Sequence, residues 1–224
     1  MAPPSASALS GYSQGYVTDF SGTTLPDGWY TYTGTPGGDA GAQWGSAHVT
    51  VSGGLLSLST YQDPAYNNEW VAGGLCQCGH TQTYGAYFVR SRVTGAGPTG
   101  VELLWPTVGW PPEIDFNETG GGTGGTTATD IWGPASGKSQ NQIRTSIDMT
   151  QWHTWGVIWT PTKILYVVDG YTWREFAVPS KVPHIPMTLD FEQRAQCPSV
   201  NQCPTQPSAM QIDWVAEYQP DGPA

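Results

Sequence analysis

Six residues, Glu113-Ile114-Asp115-Phe116-Asn117-Glu118, constrain this chain more than any other stretch. Apolar Ile114 and Phe116 alternate with acidic Glu113 and Asp115, which is the period of a half-buried strand. In a regular strand Glu118 would fall on the face of Ile114 and Phe116. A β-bulge opposes two residues to one and would return Glu118 to the other face. The segment is therefore expected to be a bulged strand, with a core face of Ile114 and Phe116 and a second face carrying three carboxylates. An acidic cluster can also be a solvated edge or a loose cation site, but the apolar flanks argue against an edge.

The spacing suits one chemistry. With the bulge, Glu113 and Glu118 are separated by roughly 13 Å of strand at ~3.3 Å per residue. Two Glu side chains leaning inward across that gap can bring their carboxylates to about 5 Å, the separation of a retaining glycosidase. One carboxylate then attacks the sugar, and the other protonates the leaving oxygen. The shorter Asp115 between them can hydrogen-bond one Glu and help set its charge.

The rest of the chain is consistent with an all-β frame. Gly (29) and Pro (19) are plentiful and charged residues are only 12%, a composition that favours turns and strands over long helices. Short alternating runs recur between turn residues: 49–51, 55–58, 84–93, 101–105, 112–118, 126–132, 155–159, 164–168, 171–178, 187–191 and 210–218. That spacing indicates a sandwich or barrel. Gly53-Gly54 and Asp169-Gly170 are hairpin signals. Trp155, Val157 and Trp159 share one face and read as core; Trp152, His153 and Trp214 are also assigned to structure. Gly120–Gly125 lacks the Lys-Ser/Thr of a phosphate loop and reads as a connection. No repeat or composition break marks a second domain. Residues 1–15 are expected to be a flexible tail and 16–224 a single domain, a size sufficient for a substantial core.

The formal net charge is −10, with eight Lys plus Arg and no basic run. Nucleic acid and anionic membrane surfaces are therefore poor partners. A neutral glycan is mildly favoured over an anionic one. No apolar run approaches eighteen residues, so no transmembrane helix is expected. Met1–Ala8 lacks the pattern of a leader and reads as the loose start of a mature chain. Cys76, Cys78, Cys197 and Cys203 do not have zinc spacing. Two pairings remain open: a local Cys197–Cys203 loop, or two bridges joining the Cys76 and Cys197 regions. Disulfides, and with them a secreted, extracellular setting, are favoured.

The acidic strand resembles the E-x-D-x-x-E strand of glycoside hydrolase family 16 in its bulged, laminarinase-like branch. Its approach, Leu103-Leu104-Trp105-Pro106 and Trp110-Pro111-Pro112, resembles actinobacterial members. Tyr84-Gly85 through Arg90 resembles the family's YG-x-x-x-x-R strand. Gln151-Trp152 through Pro161, Val168-Asp169-Gly170 and Met210–Val215 resemble its later strands. The likeness runs from about Asp19 to Tyr218. It implies a jelly-roll β-sandwich of two curved antiparallel sheets (concanavalin A-like) with an open concave cleft. It also implies Glu113 as nucleophile, Glu118 as acid/base and Asp115 as assistant. Endo-cleavage of a β-1,3- or β-1,3-1,4-glucan by a monomer is expected, with galactans as other candidate substrates.

Trp110, Trp105 and Trp132 are candidates for stacking on pyranose rings, although Trp105 and Trp132 could equally be core. Arg90 is placed at the cleft, with a structural ion pair as the alternative. Glu192 and Gln193 end a strand where related chains carry polar cleft residues. His80 could overhang the cleft or be a plain surface residue. Asp130-Ile131-Trp132 lacks the His of many relatives, and the segment from Trp110 to Glu113 is shorter than usual. The Asn117-Glu118-Thr119 sequon is expected to be unused, since a glycan there would block Glu118. No cofactor is required by this chemistry. Some relatives bind structural calcium on the convex face; Asp213 and Asp19 are possible ligands, but no loop dense in oxygen ligands is present, so the metal is unassigned. Two other readings use the same residues or frame: a transglycosylase, and a non-catalytic glycan-binding sandwich.

Overall fold

The computed structural model describes every residue except 1, 6, 38–40, 196, 198–202, 223 and 224. In chain order the strands are β1 (Tyr12–Thr18), β2 (Tyr30–Thr31), β3 (Val49–Ser52), β4 (Leu55–Asp63), β5 (Glu69–Val71), β6 (Gly74–Cys76), β7 (Gly85–Val93) and β8 (Thr99–Pro106). They continue as β9 (Glu113–Glu118), β10 (Thr126–Trp132), β11 (Ser139–Thr145), β12 (His153–Trp159), β13 (Ile164–Val168), β14 (Tyr171–Phe176), β15 (Met187–Arg194) and β16 (Ser208–Pro220). Short 3-10 turns such as Ser46–His48 are the helical elements among the described residues.

The strands form two antiparallel sheets. One runs β14-β13-β12-β7-β16-β4-β3, with β1 added to β16 and β5 to β4; the other runs β11-β10-β9-β8-β15-β6-β2. The sheets stack face to face over one core, the sandwich expected. Ile114, Phe116, Leu104, Leu189 and Phe191 enter that core from the second sheet, and Val89, Trp155, Val157, Trp159 and Ile212 enter it from the first. A fully buried residue such as Phe116 contributes roughly 1.5–3 kcal/mol. Gly53 and Gly54 both have positive φ (61° and 75°), as do Asp169 and Gly170 (49° and 85°). Those signs match the right-handed strand twist and close β3–β4 and β13–β14 as two-residue hairpins.

Of the tail expected to be flexible over residues 1–15, described parts are tied down instead. β1 pairs with β16 from Tyr12↔Pro220 onward. The outer face of the first sheet carries an apolar cluster of Ala86, Trp214, Ala216 and Tyr218, which Leu9 and Tyr12 cover. Gln14 donates to the Pro4 carbonyl (3.1 Å) and the Tyr218 hydroxyl to that of Ser5 (3.2 Å). Trp214 on an outer face needs such a cover, and the N-terminal segment supplies it. Both disulfides are local, Cys76–Cys78 and Cys197–Cys203. No helix among the described residues is long and apolar enough to cross a membrane.

Candidate active site

The register of β9 contains the bulge. Against β8, Leu104 pairs with Ile114 and Leu103 with Asp115, but Glu102 pairs with Asn117 and Val101 with Glu118. Phe116 is the residue the ladder skips. The same shift occurs against β10, where Thr129 pairs with Asp115 and Thr127 with Glu118. Asn117 turns inward: its Oδ1 accepts from Thr126 Oγ1 (2.6 Å), and that hydroxyl accepts from the Glu118 amide (2.8 Å). The sequon asparagine is 2% exposed, so no glycan can occupy it in the folded chain.

Glu113, Asp115 and Glu118 consequently share the face turned away from the core. They line an open cavity of about 750 Å³ that runs from β11 across β9, β8 and β15 toward β2. Asp115 is buried; burial, then the charges of Glu113 and Glu118, push its pKa well above the usual carboxylate range. Burial also raises the Glu118 pKa, with Arg194 opposing and the Glu113 charge reinforcing the rise. Trp110 Nε1 donates to Glu113 Oε2 at 2.6 Å, a bond suited to an ionised acceptor.

The other candidates divide. Trp105, Trp110 and Glu192 line the cavity. Trp105 and Trp110 are stacked, with ring centroids 6.1 Å apart and planes at 13°. The Lys138 ammonium sits 4.7 Å from the Trp110 centroid. Trp110 thus makes ring contacts with Trp105 and Lys138 while its N–H holds Glu113. Trp132 is not in the cleft: strand alternation gives Thr129 and Ile131 to the cavity, and Trp132 stacks on Phe176 beside the core. Gln193 is likewise on the wrong face. It is fully buried between the sheets against Thr60, because Glu192 takes the cleft side of β15. Arg90 belongs to the other sheet, where it pairs with Asp213 and lies 4.8 Å from the Trp152 ring centroid. His80 packs on Tyr16, ring centroids 4.9 Å apart, and does not line the cleft.

Several lining residues carried no signal of their own in the sequence. Lys138, Gln140 and Gln142 come from β11 and its approach, Tyr32 and Trp44 from the N-terminal quarter, and Asp190 and Arg194 from β15. Tyr32 donates to Asp190, and burial raises the Asp190 pKa well above its usual range. The residues raised as calcium ligands have protein partners. Asp213 takes the Arg90 guanidinium, Asp19 accepts from the Ser21 amide, and no group of three His, Cys, Asp or Glu gathers among the described residues.

The family model for glycosyl hydrolases family 16 matches residues 37–216. A β-glucanase of Rhodothermus marinus is 28% identical over 178 residues, covering 70% of this chain and 62% of that protein. A probable xyloglucan endotransglucosylase/hydrolase of Arabidopsis thaliana is 26% identical over 147 residues, 62% of this chain and 48% of its own length. The chain therefore spans about half to two thirds of these curated relatives. Among solved structures, the Rhodothermus marinus laminarinase superposes with a TM-score of 0.79 at 20% identity, covering 93% of this chain and 97% of that one. A match over most of the chain, on a sandwich whose cleft holds the bulged acidic strand, places this protein in glycosyl hydrolases family 16.

Proposed function

We propose that this protein is a secreted, endo-acting, retaining β-glycosidase that cleaves a β-1,3- or β-1,3-1,4-glucan. The observation that carries the reading is that Glu113, Asp115 and Glu118 share one face on the cleft floor, enforced by the bulge. Glu113 attacks the anomeric carbon, and the bond to the leaving oxygen breaks as Glu118 gives that oxygen its proton. The Glu113 charge, which favours the protonated form of Glu118 through like-charge repulsion, is lost in the glycosyl ester. Glu118 then takes a proton from water, which attacks the same carbon and releases Glu113. Two displacements at one carbon give net retention. Asp115 flanks Glu113 on the same face and assists it. A cleft that stays open along its length lets a polymer lie across it, which supports endo-cleavage. The relatives' activities support a β-glucan, and the disulfides support secretion.

Transglycosylation is the second reading, favoured by the xyloglucan endotransglucosylase relative. It uses the same glycosyl ester with a sugar hydroxyl in place of water. Early products from laminarin and barley mixed-linkage glucan, examined by proton NMR before mutarotation, should carry the β-anomer at the new reducing end. First-formed α-anomer would overturn retention, and binding without release would favour a non-catalytic sandwich. Elongated products on adding oligosaccharide acceptor would favour the transferase.

Trp110→Phe keeps the ring but removes the donor to Glu113. The expected result is a drop in kcat of about 10- to 100-fold with KM changed less than about threefold, measured on soluble glucan, since one positioned donor acts mainly on the reacting geometry.

A further inference from the structure

Arg194 is the cation placed directly on the proposed acid/base. Its Nη2 donates to Glu118 Oε1 at 3.4 Å, and its Nε lies 3.4 Å from Glu192 Oε2. The ladder explains the meeting. Val101 of β8 pairs with Glu118 on one side and with Glu192 on the other, so the two carboxylates flank one residue. Arg194 is two residues beyond Glu192 on the same face of β15, opposite Thr99. We propose that Arg194 is a positioning residue divided between Glu118 and Glu192, and that this division sets the protonation of the acid/base and the alkaline edge of activity. This rests on Glu118 being the acid/base.

The physical argument is one of opposed pulls. Burial and the Glu113 charge favour protonated Glu118, and Arg194 favours the ionised form. Once the Glu113 charge is lost in the ester, a general acid left with burial alone would still hold its proton too firmly to serve as base in the second displacement. Glu192 competes for the same guanidinium and adds negative charge, so it weakens the pull of Arg194. The side chains of all three are less than one quarter exposed, at 23% for Arg194, 24% for Glu118 and 14% for Glu192. Solvent therefore screens them only in part. The other charges facing Glu118 are Glu113 and Asp115 on its own strand, while Asp190 on β15 acts on Glu192 and Glu113. β8 presents Val101 and Thr99, and β10 presents Thr127 and Thr129, all uncharged. Arg144 on β11 turns its guanidinium toward Gly120 and Gly125, and Lys138 caps Trp110 at the Glu113 end. None of these bridges Glu118 to a second carboxylate.

The test is kcat/KM against pH for the parent chain, Arg194→Gln, Arg194→Lys and Glu192→Gln on a soluble glucan oligosaccharide, with Glu118→Gln run alongside. Arg194→Gln should move the alkaline midpoint up by about one pH unit, the lower end of what a nearby opposite charge does to a carboxyl. Glu192→Gln should move it down by about half a unit, and Arg194→Lys should return it toward the parent. A purely structural contact would lower activity without moving the midpoints in opposite directions. Unmoved midpoints, or shifts of one sign in both variants, would overturn the inference; if Arg194→Gln does not fold, the sign for Glu192→Gln still decides. A fully active Glu118→Gln would instead remove the acid/base reading itself.

Discussion

Glu113→Gln should abolish glucan cleavage, lowering kcat by about 10,000-fold or more, because it removes the carboxylate that forms the glycosyl ester. Asp115 sits two residues away, but it is shorter, buried and raised in pKa. It is protonated more readily than an ordinary carboxyl and is a poor nucleophile. Glu118→Gln should behave differently. On polymer, where the leaving sugar needs a proton, kcat should fall by about 1,000-fold, within the range for a lost general acid. On an aryl glycoside with an acidic phenol, the first displacement needs little protonation and should survive. Without a base, the glycosyl ester should accumulate and be visible as a mass increase on the peptide containing Glu113. The pair of variants separates the roles: one blocks ester formation with every substrate, the other traps the ester with activated ones. Both are close in volume and shape to the parent residue, so melting temperatures should change little. An active Glu113→Gln, or an aryl glycoside equally dead with both variants, would defeat the assignment.

The parts of this molecule legible in the sequence are those with a burial pattern. Ile114 and Phe116 alternate with carboxylates, and the bulge needed to bring Glu118 round is present in the ladder on both sides of β9. Trp155, Val157 and Trp159 enter the core as alternation requires. The hairpins at Gly53-Gly54 and Asp169-Gly170 follow from turn chemistry alone. β11 was invisible because Ser139–Thr145 is exposed along almost its whole length and has no apolar period. It is an edge strand, yet it supplies Gln140 and Gln142 to the cleft. Tyr32 and Trp44 reach the site through closure over long sequence distances, which no local pattern encodes. The misplaced residues have a simpler cause. Once Glu192 and Ile131 face the cavity, period two forces Gln193 and Trp132 into the other layer. Arg90 sits in a strand of the other sheet, and only the strand order could reveal that. β15 also runs past Phe191 to Arg194, so the cation on Glu118 lies beyond the part of the strand that its apolar residues mark.

Stability should fall as pH rises from about 5 to 8, by roughly 1 kcal/mol per pH unit for each of two buried acids. Glu102 and Glu217 are the two. Burial lifts each pKa to about 8. In the unfolded chain both would ionise near pH 4.3. Between those values the folded chain holds protons that the unfolded chain has released, so raising the pH favours unfolding throughout the window. Below about pH 4 both states are protonated and the contribution is fully present; above about 8 it is gone. The acids with lowered values, Asp19, Asp63 and Asp148, act only in more acidic solution. Asp130, raised to about 6 by burial, acts in the same direction as the two glutamates. Glu102 gives the specific test. It lies between the sheets, where Ser91 donates to it and Asn117 stands across the ladder. Glu102→Gln keeps the shape and the Ser91 bond but cannot ionise. Its melting temperature should decline less steeply than the parent's between pH 5 and 8, by about 2–4 °C for each kcal/mol removed. A parent curve that is flat or rises over that window would show that Glu102 and Glu217 do not carry their protons in the fold. Asn117 grips Thr126, and Thr126 grips the Glu118 amide. A charge appearing on Glu102 in alkaline solution therefore forms behind the bulge that aims the acid/base, so fold stability and cleft geometry are strained at the same carboxyl.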